Sequence, residues 1–284
     1  MRRTAIALAG VVALLAACGD SGAGTPEASS PTAESVAPVP AVPGMAAEIV
    51  RLRTDEAIGG QVQVRLTDTG DTPFTVTTVA LRSPGFAPEP PTALTAEYAP
   101  GRVIDLTVPF GDPHCDAATE PTVADLTVVR PDGAVEQVQV PASAEVMELI
   151  HSEECAVLAV TAVVGIAVTD LHEDGDALVG TLSLTRRQGD DPVTATRIER
   201  SVLIDTVAEL PLELGADDRT AEVEISFIAA NCEPHVLSET KKPFVFPLSV
   251  TVGEDDEVPV DLPLDQSQRD LLTALVQRVC TPSA

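Results

Sequence analysis

The chain has 284 residues, 44% of them hydrophobic, and a formal net charge of −27 from 44 acidic and 17 basic side chains. That charge excludes nucleic-acid binding by phosphate neutralisation and sets the chain against anionic lipid head groups. With no tryptophan and one tyrosine, Tyr98, the core must be aliphatic, and sugar recognition by ring stacking has almost nothing to work with.

In chain order, Arg2 and Arg3 precede an uncharged, largely apolar run over residues 4–17. A spanning helix needs roughly 20 residues, so the run fits the apolar region of a secretory signal peptide. It ends in Leu15-Ala16-Ala17-Cys18, which resembles the lipobox of bacterial lipoproteins. The resemblance implies removal of residues 1–17, a diacylglycerol with its two acyl chains on the Cys18 sulfur and a further acyl chain of the palmitate type on its amino group. One acyl chain binds a membrane only marginally, whereas two hold it stably. Cleavage removes two arginines and no acid, leaving about −29, so lipid and not a basic patch must hold the chain to its membrane. Residues 18–44 are rich in Gly, Ser, Thr, Ala and Pro. Such a segment has too little to bury to offset its ordering entropy, and it is predicted to be a lipidated, disordered tether spanning on the order of 30 Å.

Beyond the tether the sequence repeats itself. "RLTDTGDTPFTVTTVAL" (65–81) and "SLTRRQGDDPVTATRIER" (183–200) share Leu-Thr, a polar turn, Gly-Asp-x-Pro and an alternating strand. "GRVIDLTVPFGDPHC" (101–115) matches "DRTAEVEISFIAANC" (218–232), and "PASAEVMELIHSEEC" (141–155) matches "PLDQSQRDLLTALVQRVC" (263–280). Three blocks in the same order predict a duplicated module, with domains at 45–155 and 156–284, each large enough for its own core.

Within each module, segments such as 61–67, 103–110, 221–227, 244–252 and 258–264 alternate apolar and polar residues with the strand period. "RPDG" (130–133) carries tight-turn chemistry. About six or seven short strands per module predict a β-sandwich. The period changes at each module's end. Leu271, Leu272, Leu275, Val276 and Val279 share a helical face, with Asp265 and Gln268 as a capping box; Val146, Leu149 and Ile150 do the same, with Ser143 as expected N-cap. The apolar stretch 156–168 is too short and too β-branched for a membrane helix and is predicted to open the second module as a strand.

Apart from Cys18, four cysteines remain, and four allow three pairings. The repeat selects Cys115 with Cys155 and Cys232 with Cys280, each pinning a terminal helix in the oxidising compartment that the signal implies. A competing reading gathers His114, Cys115, His151 and Cys155 as a Cys2His2 metal site. The second copy does not keep it, because Val276 stands where His151 would map, so no metal is expected. "DLHEDGD" (170–176) lacks the ligand pattern of a calcium loop, and "SETK" (238–241) lies in a polar loop without the companions of a serine acyl-enzyme. No catalytic residue and no cofactor is expected. The stretch "SPGFAPEPPT" (83–92) differs between the copies; an exposed Phe86 there would be a natural partner contact, whereas a Phe86 tucked over the core edge, with the prolines stiffening a crossing, would be structural, and its solvent exposure decides between them.

The sequence therefore predicts a mainly β chain of two tandem antiparallel β-sandwich domains, each with a short C-terminal helix pinned by a disulfide. The architecture loosely resembles immunoglobulin or fibronectin domains, without their Cys…Trp…Cys signature. The expected role is that of a non-enzymatic lipoprotein anchored by lipid to the outer face of the bacterial cytoplasmic membrane, with a protein or envelope partner and no nucleic acid. The alternative is a small-ligand or metal-binding accessory lipoprotein for a transporter or sensor.

Overall fold

A computed structural model describes residues 38–240 and 243–280, which form fifteen strands and four helices. In the first half these are β1 (Met45–Val50), α1 (Arg53–Ile58), β2 (Gln61–Asp68), β3 (Phe74–Arg82), β4 (Thr92–Tyr98), β5 (Val103–Pro109), β6 (Thr122–Val129) and β7 (Val135–Ala142). Helix α2 (Glu145–Val163) follows. The second half contains β8 (Val164–Asp174), β9 (Ala177–Arg186), β10 (Val193–Ile198), β11 (Ile204–Ala208), β12 (Leu212–Leu214) and β13 (Thr220–Ala229). It closes with α3 (Pro234–Glu239), β14 (Pro247–Val252), β15 (Val258–Asp261) and α4 (Gln266–Cys280).

Period-two alternation in the sequence becomes one buried face per strand. In β2, Val62, Val64 and Leu66 are fully buried while Arg65 and Thr67 face outward. The strands form four antiparallel sheets in the orders β1-β2-β5, β4-β3-β6-β7, β11-β13-β9-β8 and β12-β10-β14-β15. Buried apolar residues make two clusters. One runs from Met45 to Ile150 between the first two sheets, and the other from Val160 to Val276 between the last two.

The strand orders superimpose: β8, β9 and β13 repeat β1, β2 and β5, and β10, β12, β14 and β15 repeat β3, β4, β6 and β7. The likeness extends to irregularities. Both β3 and β10 slip register after their third residue, between Val76 and Thr78 and between Ala195 and Arg197. In each the skipped threonine turns its hydroxyl to the neighbouring strand, Thr77 to the Thr127 carbonyl at 3.3 Å and Thr196 to that of Ser249 at 3.5 Å. A bulge leaves one residue unpaired, and threonine supplies its own hydrogen bond at both places.

Three elements have no counterpart, one of them α3, which stands between β13 and β14 where no helix lies between β5 and β6. Helix α1 lies only in the first half. Its buried Asp55 accepts from the Leu52 amide and from the side-chain amides of Gln61 and Gln63, at 2.8–2.9 Å. Strand β11 lies only in the second half, where it adds a fourth strand beside β13.

The strand expected from residue 156 is instead helix up to Val163, and β8 begins at Val164. Ala156, Ala159 and Ala162 favour continuation of a helix already nucleated at Glu145. As a result α2 crosses the expected boundary, placing Met147 and Ile150 in the first core and Val160 in the second. Its N-cap is Ala144, one residue past Ser143, whose hydroxyl accepts from the Glu145 amide at 3.4 Å. At α4, Asp265 and Gln268 exchange hydrogen bonds of 2.9 and 2.8 Å, the reciprocal pair of a capping box.

Candidate functional site

The cysteines join as Cys115–Cys155 and Cys232–Cys280, spanning 40 and 48 residues. In the chain-entropy account, loops of this length each gain about 4 kcal/mol. Each bridge ties a helix, α2 or α4, to the segment that follows β5 or β13.

The first bridge sits beside the 83–91 segment, where the two halves differ most. Pro84, Pro88, Pro90 and Pro91 deny this segment a continuous ladder, yet its middle is held. The Ala87 amide donates to the Asp112 carbonyl and the His114 amide to that of Gly85, both at 2.8 Å. Ser83 Oγ donates to the Thr119 carbonyl at 2.7 Å. Of the two places open to Phe86, an exposed contact or a ring tucked over the core edge, the structure has the second: it is only 5% exposed. Its ring packs edge-to-face on Phe110 at 5.3 Å and on His151 at 5.6 Å, so burial and not solvent display fixes its position.

Phe86 thus separates two features. On one side lies a groove of about 370 Å³, with Phe86, Phe110, Pro121 and Val123 as apolar walls and Arg82 and Gln139 as polar ones. Arg82 is ion-paired with Asp125, whose other oxygen is buried without a partner among the described residues. The groove lies within the first half and not between the halves.

On the other side lies a cluster of histidine and sulfur. His151, one helical turn before Cys155, brings Nε2 to 3.1 Å from the His114 carbonyl and 3.8 Å from Cys155 Sγ. Since a carbonyl only accepts, that nitrogen carries the proton. Phe86 packs against the ring, and a Cβ at Gly85 would come to 3.1 Å from its Cδ2 and 3.0 Å from Thr119 Cγ2, so any larger residue there would push on both. Of the residues considered for a metal site, His151 lies beside Cys155, His114 enters through its backbone carbonyl, and the two sulfurs are bonded to each other. Among the described residues no three His, Cys, Asp or Glu side chains gather as a metal site. The second bridge has Val276 in place of His151 and Asn231 in place of His114.

Electrostatic effects elsewhere are local. The Arg65 guanidinium donates to both oxygens of Asp105 at 2.7 and 2.9 Å, which lowers that carboxyl's pKa. Burial raises that of the Tyr98 hydroxyl, which has no partner among the described residues. Cys18 lies outside the described residues.

The Gly85–Phe86–His151 arrangement was not read from the sequence. The signals available were the glycine next to the phenylalanine and the i, i+4 spacing of His151 and Cys155, which puts both on one helix face.

No protein-family model matches the chain, and no curated protein matches it. Among solved structures, red sea bream transglutaminase aligns with 78% of this chain at 10% identity and a TM-score of 0.23, and the chain spans 31% of its length. The YadV chaperone aligns with 78% of this chain and 100% of its own, at 10% identity and a TM-score of 0.21. The BSP domain of a biofilm-associated protein aligns with 80% of this chain and 60% of its own, at 9% identity and a TM-score of 0.20. Similarity of this order transfers neither an architecture nor an activity to this chain.

Proposed function

We propose that the chain is a lipoprotein held by Cys18 on the outer face of the bacterial cytoplasmic membrane, where it binds a protein or envelope partner without catalysing a reaction. Two modules, each closed by its own disulfide, form the body, and the 83–91 face of the first module is the binding face. The observation that carries this reading is the contrast at that face. The same place in the second module is closed by β11, whereas the first presents the groove beside Phe86. Rigid sandwiches bind through the segments that differ between otherwise equal modules. Among the described residues no helix is long and apolar enough to cross a membrane, which accords with anchoring by lipid.

Two measurements test the reading. Cells fed an alkyne fatty acid should label the wild-type chain but not Cys18→Ala, which should appear in the culture medium. Equal labelling of both removes the anchor. A photo-crosslinking residue at the exposed Pro88 should give a discrete adduct in intact cells, while the same residue at Val207 on β11 should not. Adducts at both positions, or at Val207 alone, remove the binding face.

The groove volume also supports the second reading, a small-ligand accessory role, because about 370 Å³ is within the usual span of ligand pockets. A small molecule retained in native mass spectra and lost in Val123→Trp would favour it over a protein partner.

A further inference from the structure

We propose that Cys115–Cys155 is an exchangeable disulfide, attacked by an external dithiol at the exposed Cys115 sulfur, with His151 positioned to receive the Cys155 thiolate that departs. Cys232–Cys280 is then a fixed staple. This goes beyond the binding role and does not depend on it or on the lipid anchor.

The two bridges provide an internal control. Each joins a solvent-exposed cysteine, Cys115 or Cys232, to a partly buried one on a helix. Access to the outer sulfur therefore does not separate them. What separates them is the group beside the inner sulfur: His151 Nε2 stands 3.8 Å from Cys155 Sγ, whereas Cys280 Sγ lies 4.0 Å from the Asn231 carbonyl, which has no proton to donate, and the helical position of His151 is taken by the aliphatic Val276. Thiol–disulfide exchange is fastest when the departing thiol has a low pKa, and a nearby imidazole N–H lowers it by donating to the thiolate. Phe86, the His114 carbonyl and the space left at Gly85 hold the ring in place before any reaction.

The step balances as follows. A thiolate of the reductant forms a bond to Cys115 Sγ. The Cys115–Cys155 bond breaks, and its electron pair leaves on Cys155 Sγ. The Nε2–H of His151, which donates to the His114 carbonyl in the oxidised form, turns its hydrogen bond to that sulfur. The second thiol of the reductant attacks the mixed disulfide at its own sulfur and releases Cys115. Two electrons enter the bridge, and the dithiol leaves as a disulfide. Reduction would free the 112–118 segment from α2, the helix that contributes to both cores.

The test uses the full-length protein in detergent, with dithiothreitol as reductant, timed alkylation and peptide mapping. Cys115 and Cys155 should become alkylated about tenfold faster than Cys232 and Cys280. His151→Val, which copies the second bridge, should abolish that difference, and His151→Gln, which keeps an N–H donor, should restore part of it. Gly85→Ala, which crowds the ring without touching its chemistry, should slow the first bridge as well and answers the question if His151→Val does not fold. With glutathione, the mixed disulfide should map to Cys115. Equal rates for the two bridges, a folded His151→Val with an unchanged rate, or glutathione on Cys155 would each overturn the proposal. A purely structural role for His151 would change the melting temperature but leave the rate ratio where it was.

Discussion

In the first half, the ring that meets Phe110 edge-on comes from Phe86, in the connection between β3 and β4. In the second half, the ring that meets Phe227 comes from Phe246, just before β14. The geometry is nearly the same, with centroids 5.3 and 5.1 Å apart and an interplanar angle of 65° in both. The module needs an aromatic pair at this end of its core and accepts it from either side of the sandwich. The consequence is functional. Where the pair is completed from β14, the β10–β12 connection is free to become β11 and close the sheet. Where it is completed from the β3–β4 connection, that segment is tied inward by its phenylalanine and leaves a groove beside it.

A second residue enforces the difference. Phe110 donates its amide to the Gly60 carbonyl at 3.1 Å, on the β2 side, so by strand alternation Pro109 faces the open edge of its sheet. Ser226 is its counterpart. Ala230 donates toward β11 through the Leu203 carbonyl at 2.9 Å, and by the same parity the Ser226 amide points to β11 as well. A proline at that place has no N–H to give, and proline at an edge also discourages pairing with other chains. The first sheet therefore has three strands and the second four.

The largest effects that would break this comparison lie in the ring pairs. Phe227 is fully buried, and Phe227→Ala should cost about 4 kcal/mol in denaturant unfolding. Phe110 is half-exposed and walls the groove, so Phe110→Ala should cost clearly less. Equal losses would mean that the pairs are not equivalent parts of one design. Next comes the edge. Ser226→Pro removes a ladder donor and should cost about 3 kcal/mol, whereas Pro109→Ser should stay within about 0.5 kcal/mol. Smaller again is the inserted helix. Asp55→Ala leaves the side-chain amides of the buried Gln63 and the partly buried Gln61 without their acceptor, and a loss of about 2 kcal/mol is expected. No position in the second half should reproduce it.

Much of this was legible in the sequence, because it depended on order and periodicity. The Gly-Asp-x-Pro turns, the matched cysteines and the alternating strands describe the modules and select the bridges. What stayed hidden depended on competition between neighbours. Residues 156–163 contain Val157, Val160, Thr161 and Val163, and in isolation they read as strand. The helix prevails because it arrives already formed from Glu145, and the alanines between those residues extend it. Phe86 could be read as an exposed contact or as a ring tucked over the core edge; burial selects the second, but nothing in its own stretch shows that Phe110, just after β5, and His151 of α2 are the rings it meets. β11 was seen only as a place where the copies differ, although "VLIDTVA" (202–208) is rich in β-branched residues and lacks the alternation that marks the other strands. The site combines these hidden parts, and that is why the sequence groups His151 with His114, Cys115 and Cys155 but not with Gly85 and Phe86.

The smallest expected effect sharpens the comparison at the helix starts. At α4 the Asp265 carboxylate accepts from the Gln268 amide at 2.9 Å and from Ser267 Oγ at 2.7 Å, and these hydrogen bonds hold its pKa below the ordinary aspartate range. A carboxyl whose pKa is lowered on folding stabilises the native state above its unfolded pKa of about 4. That contribution fades as the pH drops through the folded value. Asn caps as well as Asp but carries no charge, so Asp265→Asn should melt slightly below wild type at pH 7, and the gap should close by pH 2. The corresponding start of α2 uses the neutral Ser143 hydroxyl, so any deficit in Ser143→Ala should be the same at both pH values. Thermal melts of the two variants at pH 7 and pH 2 separate the cases. A gap for Asp265→Asn that persisted at pH 2 would mean that shape, and not charge, is what the second module requires there.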